Sequence, residues 1–402
     1  MKKILFFIVL LISIILGSLF LLSETYHEKN LNSPQQELIL NQTENVLKNT
    51  TGELALIGWS KSPKHFNFNK SHINPKSSSL FSKDLNKFRY KKWEALVFTS
   101  EKLIFTFAPF DLTYVGGYIL HYFDFTKPNS EIGAIEYVSL LDKANITDNC
   151  VEECLMYNYT NDDNKSFLKS TKLEKTGINS LKFELNYKDN NSSFKIDAEI
   201  SRNQSADSLV TLTPISEDLT LFYYNLKQNL FVPNGTLNFN NKDYNLSDFL
   251  ITYDSGRGVW PLKSGWFWAN GNGRTTKNQK ISINMGHGFN HPNASKATED
   301  SFFIEDRIFK LPSMKTVKPN NSTKIWKFTV SELVSKENLT GNTCTVEFKI
   351  LSHKNISKDF VIAKMSFDIY YGQFSGICKD LNGNEYLFEK VYGILEEKRS
   401  IW

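Results

Sequence analysis

From about residue 52 onward the chain alternates. FKIDAEI at 194–200 and LKFELNY at 181–187 set an apolar residue at every second position, which on an extended backbone gathers them on one face. LIFTF at 103–107, YILHYFDF at 118–125, LVTLTPI at 209–215 and KISINM at 280–285 alternate similarly or run apolar over strand length. So do FFIEDRIFKL at 302–311, IWKFTV at 325–330, TVEFKI at 345–350 and AKMSFDIYY at 363–371. Asn, Gly, Asp and Ser separate these runs at hairpin spacing. PNGTLNFNNKDYNLSD at 233–248 predicts an Asn-Gly turn, a strand, an Asn-Lys-Asp turn and a second strand. KDLNGNEYLFE at 379–389 predicts a hairpin around Asn382, Gly383 and Asn384. No segment carries the period of a long amphipathic helix. The pattern predicts an all-β chain with more strands than one eight-stranded barrel uses, hence two successive β domains at 52–247 and 248–402.

Upstream the pattern changes. Lys2 and Lys3 precede an uncharged run from Ile4 to Leu22, which is a signal sequence or a signal anchor. A cleavage after Ser23 would need a small residue where Leu21 stands, so the run reads as an uncleaved anchor, with a cleaved signal as the rival. Either way the lysines stay cytoplasmic, and everything after residue 23 is lumenal or extracellular. Residues 24–51 are polar and read as a stalk.

Composition supports export. The chain holds sixteen N-x-[ST] acceptors, among them Asn145, Asn158, Asn234, Asn245, Asn338 and Asn355. Chance pairing in so Asn-rich a sequence gives roughly six. In an oxidising compartment the four cysteines, Cys150, Cys154, Cys344 and Cys378, are expected as two local disulfides among three possible connectivities. A net charge of +4 from 47 basic and 43 acidic residues, with no basic block, gives nucleic-acid binding no support.

The densest chemistry lies in DSGRGVWPLKSGWFWANGNG at 254–273. Trp266 and Trp268 are two apart, so on a strand they share a face and form an apolar wall for a lipid tail or ring. Trp260 precedes them. Asp254 and Arg257 are close enough to pair across a turn, where they would orient a polar head group or protonate an alkene. Glu299 is a further carboxylate that burial could turn into a general acid. The plainer readings are core packing for the tryptophans and a structural clamp for the Asp-Arg pair. His287 and His291 are four apart, but the Gly and Pro around them preclude the helix that would align them on a metal. No phosphate loop, dinucleotide fingerprint or G-x-S-x-G elbow is present, and no metal or cofactor is expected.

These residues resemble a known family. Gly58-Trp59-Ser60 with Pro63, RYKKWEALVFTS at 89–100, and Asp254, Arg257, Gly258, Trp260, Pro261, Trp266 and Trp268 are similar to the signature of the domain-of-unknown-function 2804 family. Asn284 and Gly286, Glu299-Asp300, YGQFSG at 371–376 and GILEEKRSIW at 393–402 resemble its later elements. Asp300 stands where that family usually has Asn. More distantly, the chain resembles hydroxyneurosporene synthase and AttH-like proteins, which implies two successive lipocalin-like β domains. The family's activity is unassigned, so the resemblance supplies no reaction.

Together these observations predict a membrane-anchored or secreted protein that binds a hydrophobic small molecule through Arg257, Trp260, Trp266, Trp268 and Asn284. The alternatives are an enzyme of hydratase, isomerase or cyclase type, with Asp254 or Glu299 as the acid, and a ligand-free interaction module.

Overall fold

The computed structural model describes residues 44–48, 51–62, 66–67, 73, 89–127, 131–140, 146–148, 152–160, 167–216, 219–261, 263–287, 297–319, 323–330, 341–359 and 364–401. The anchor run, Cys150, Asn145, Asn338 and His291 lie outside these residues. Among the described residues no helix is long and apolar enough to cross a membrane.

The all-β expectation holds. Two large antiparallel sheets account for the architecture, each curled into a half-barrel. The first runs in the spatial order Gly133–Leu140, Val115–Asp124, Leu103–Asp111, Tyr90–Thr99, Leu250–Val259, Phe222–Phe239, Ser193–Ser201, Ser180–Lys188, Leu168–Gly177, Glu153–Thr160. The second runs Arg307–Lys310, Ser301–Ile304, Lys280–His287, Lys263–Arg274, Glu385–Ile401, Lys364–Lys379, Thr343–Asp359, Ile325–Val330, Lys315–Val317. The chain passes from one sheet to the other between Val259 and Lys263, so the segment at 254–273 is split between them.

Each half-barrel fills its concave side with the alternating apolar residues. Phe183, Leu185, Phe194 and Ile196 belong to the first core, and Trp326, Phe328, Val346 and Phe348 to the second. A third cluster joins the sheets. Val97, Ile104 and Phe123 of the first meet Trp268, Phe367, Ile369, Tyr371 and Ile394 of the second. Strands at this junction are therefore buried on both faces. Phe222–Phe239 is buried without interruption over its first ten residues, polar ones included.

That strand also changes step. Between Gln228 and Phe231 it advances three residues while its partner advances two, with Leu230 at φ 63°. The bulge inverts the alternation: Phe222, Tyr224 and Leu226 line the first core before it, and Phe231, Leu237 and Phe239 after it.

Several expectations need correction. The Asn234-Gly235 turn is absent, because Phe222–Phe239 runs straight through it. A Cβ at Gly235 would stand 2.1 Å from the Asp197 carbonyl oxygen, so Gly there answers a close strand approach. The turn falls at Asn240-Asn241, both at positive φ, as the mirror-type hairpin turns require. Val46 and Leu47, placed in a polar stalk by the sequence, are fully buried in the first core. The hairpin at 379–389 forms as expected, with Asp380 accepting the backbone N–H groups of Asn382 and Asn384. Cys344 and Cys378 face each other across adjacent strands as a disulfide, and Cys154 is also disulfide-bonded.

Candidate functional site: a polar cluster between the two sheets

On the face that the first sheet turns toward the second, strand register stacks Lys227 against Asp254, Asn225 against Gly256 and Tyr223 against Gly258. Lys227 Nζ lies 2.6 Å from Asp254 Oδ2, 3.2 Å from Glu299 Oε2 and 4.5 Å from the centre of the Trp268 ring. Burial by itself lowers the pKa of this lysine. Asp254 and Glu299 reverse that and lift its pKa above the ordinary value. Asn225 Nδ2 donates to Asp254 Oδ1 at 2.6 Å and to the Ser255 carbonyl at 3.1 Å. The Tyr223 hydroxyl is held well above its usual pKa, first by burial and then by Glu299, to which it hydrogen-bonds.

The second sheet supplies the opposing face. Trp266 and Trp268 do point to one side, while Phe267 between them enters the second core. Trp268 Nε1 donates to Asn284 Oδ1 at 3.0 Å, and Asn284 Nδ2 donates to the Glu299 carbonyl at 2.8 Å. A Cβ on Gly286 would stand 2.7 Å from Glu299 Oε2, so Asn284 fixes the backbone of Glu299 and Gly286 leaves space for its carboxylate. Trp266 Nε1 lies 3.4 Å from Glu396 Oε2, and Lys398 Nζ rests 4.5 Å above the Trp266 ring. Glu396, paired in register with Trp268, is only 8% exposed. Burial pushes its carboxyl up to about 7, and the field of Asp254 adds to that.

Glycine in this segment makes room for tryptophan. The Trp93 ring lies over Gly256, where an added Cβ would come within 1.9 Å of Cζ2. Trp93, Tyr223, Trp260 and Trp266 then pack in sequence, Trp93 against Trp260 at 5.4 Å and Trp260 against Trp266 at 5.5 Å between ring centres.

Arg257 does not pair with Asp254. Both sit on the strand Leu250–Val259, three apart, so they project to opposite faces. Arg257 points into the first half-barrel, where it forms a buried ion pair with Glu94 and donates to the carbonyls of Trp93, Gly256 and Thr147. Tyr253 completes that group by donating to Glu94 Oε2 at 2.6 Å. Arg257 is thus a clamp inside the first sheet, away from the polar cluster.

The family model for domain of unknown function 2804 matches residues 35–402. The chain belongs to that family. The residues that carry the resemblance divide here into three physical groups: Arg257 in its clamp with Glu94, Trp93 and Trp260 packed over Gly256, and Asp254 and Glu299, which hold Lys227 beside Trp266, Trp268 and Asn284. Asp300, where the resemblance implies Asn, accepts the Gly286 and Met314 backbone N–H groups. Burial raises its pKa to about 6 against the pull of Lys310. No curated protein sequence matches the chain. Among solved structures, CghA is similar at TM-score 0.46 and 7% identity, over 89% of this chain and 96% of CghA. A kievitone hydratase from Nectria haematococca is similar at 0.40 and 10%, over 78% and 88%. A putative AttH protein from Nitrosomonas europaea is similar at 0.38 and 11%, over 80% and 97%.

Of the residues that the sequence reading named, the fold brings Asp254, Glu299, Asn284 and both tryptophans together. That reading missed Lys227, Asn225 and Glu396. LFYYNLKQNL at 221–230 did carry a signal, since Asn225 and Lys227 share one face of a strand whose other face reads Phe222, Tyr224 and Leu226. His287 stacks on Phe267 at 4.8 Å, and among the described residues no group of three His, Cys, Asp or Glu converges to hold a metal.

Proposed function

We propose that this protein binds a hydrophobic small molecule between its two sheets, its apolar body against Trp266 and Trp268 and its polar end at the Lys227 cluster. One observation carries the reading. A lysine and two carboxylates are buried on a face that apolar side chains could fill, and replacing buried ion pairs by apolar residues is often neutral or stabilising. Retaining them beside two tryptophans is what a site for an amphipathic ligand requires. The reading goes with an exported, glycosylated protein held at a membrane by residues 4–22. Native mass spectrometry of the full-length protein from cells that glycosylate it tests the binding. An apolar molecule should co-purify and be lost from Trp268→Ala. Its reproducible absence, together with no uptake of butylpyrene, overturns the reading.

Glu396 favours a second reading, an enzyme of hydratase or isomerase type. Asp254 and Glu299 share a cation, whereas Glu396 has none within ion-pair distance among the described residues, so the acid role passes to Glu396. Turnover of the co-purified molecule that stops in Glu396→Gln supports this version. A ligand recovered unchanged from both proteins removes it.

A further inference from the structure

We propose that Asn225 and Glu396 form the seat for a hydroxyl group, so that the ligand is an apolar alcohol. The inference rests on the binding reading above and names its ligand class.

Asn225 is fully buried. Its amide orientation is forced, because Nδ2 donates to the Asp254 carboxylate and the Ser255 carbonyl, and a flip would set oxygen against oxygen. Its Oδ1 is left without a hydrogen-bond partner among the described residues. A buried acceptor in that condition calls for a donor.

Glu396 supplies the complementary need. The charged and titratable groups facing it are Asp254 and Lys227 from the first sheet, Lys398 on its own strand and Tyr371 on the neighbouring one. Burial and Asp254 outweigh the Trp266 hydrogen bond and the two lysines, and the carboxyl titrates at about 7. Below that it carries a proton and donates.

A ligand group that satisfies both must accept one hydrogen bond and give one. A hydroxyl does. A ketone or ester accepts only and leaves Asn225 unmet. An ammonium offers Glu396 no acceptor, and a carboxylate adds negative charge beside Asp254. Once Glu396 ionises, the single hydroxyl proton serves only one of two acceptors, so the preference for an alcohol shrinks as pH rises through about 7.

Fluorescence titration of the full-length protein with pyrenebutanol, its acetate ester and butylpyrene tests this. At about pH 6 the alcohol should bind about tenfold tighter than butylpyrene, and at about pH 8.5 only about threefold tighter. Glu396→Gln keeps a donor, so it should keep the preference and lose its pH dependence. Glu396→Leu should abolish the preference, and if that variant does not fold, Glu396→Gln alone decides. Equal binding of all three probes, or undiminished pH dependence in Glu396→Gln, overturns the inference while leaving the binding reading intact. Binding of none overturns both.

Discussion

Lys227 and Asp254 are cross-strand partners 2.6 Å apart, and neither side chain is more than 8% exposed. The relationship is tight because register, not side-chain reach, sets it. Glu299 enters the same lysine from the other sheet, so one ammonium ties the two half-barrels together.

Lys227→Met should therefore cost about 3–5 kcal/mol, since it leaves two carboxylates buried without a cation. Adding Asp254→Asn and Glu299→Gln to the same chain should recover most of that loss. Urea denaturation of the single and triple variants measures both. A single-variant cost below about 1 kcal/mol would mean that water solvates the carboxylates.

Glu396 predicts a pH signature. Its folded-state pKa of about 7 lies above the ordinary 4.5, so the native state keeps a proton that the unfolded chain releases. The contribution is whole below about pH 4.5 and is lost as pH rises to about 7, an amount of about 3 kcal/mol. Lys91 and Lys175, both lowered to about 7 chiefly by burial, act oppositely at higher pH, where stability rises as their unfolded counterparts lose protons. Comparison with Glu396→Gln cancels the lysines. The variant should equal the wild type near pH 4.5 and exceed it at pH 8, and parallel stability curves across that range would refute the assignment.

Gly256→Ala should be destabilising by about 1–3 kcal/mol or more, because the added carbon enters the Trp93 ring. Trp93→Leu should cost stability by itself through lost packing, yet make Gly256→Ala nearly harmless. A double-mutant cycle in guanidinium checks this, and additivity of the two costs would show that the ring does not lie over the glycine.

The proposed export makes a separate prediction. Asn158, Asn234, Asn245 and Asn355 are all exposed, so each can carry a glycan. Enzymatic deglycosylation of protein from a eukaryotic host should lower its mass in steps, and Asn234→Gln should remove one step. A mass that deglycosylation leaves unchanged would reject the lumenal assignment.

Much of the fold was legible because a period of two is a local property. Ser193–Ser201 shows it without a fault, and its burial follows its sequence residue by residue. What escaped depended on contacts far along the chain. Val46 looks like stalk until the first core closes over it. Asn234-Gly235 looks like a turn because the tight approach of Asp197 is invisible locally. Asp254 and Arg257 looked like partners by spacing, but strand geometry sends them apart, to Lys227 and Glu94 respectively. Glu396 was hidden by its neighbours, since GILEEKRS reads as a solvated charged strand until the first sheet covers one face.

The extra residue at Leu230 sets how this strand can vary. Upstream of it the odd-numbered side chains look toward the second sheet, and downstream they look into the barrel, so the whole polar row at Tyr223, Asn225 and Lys227 owes its direction to one out-of-step position. Deleting a single residue there would make the strand's hydrophobic rhythm perfectly regular, yet rotate Lys227 into an apolar lumen and away from Asp254. Length changes are thus free to accumulate at the Asn240-Asn241 turn, while the stretch from Lys227 to Phe231 is a frame in which no insertion or deletion is silent.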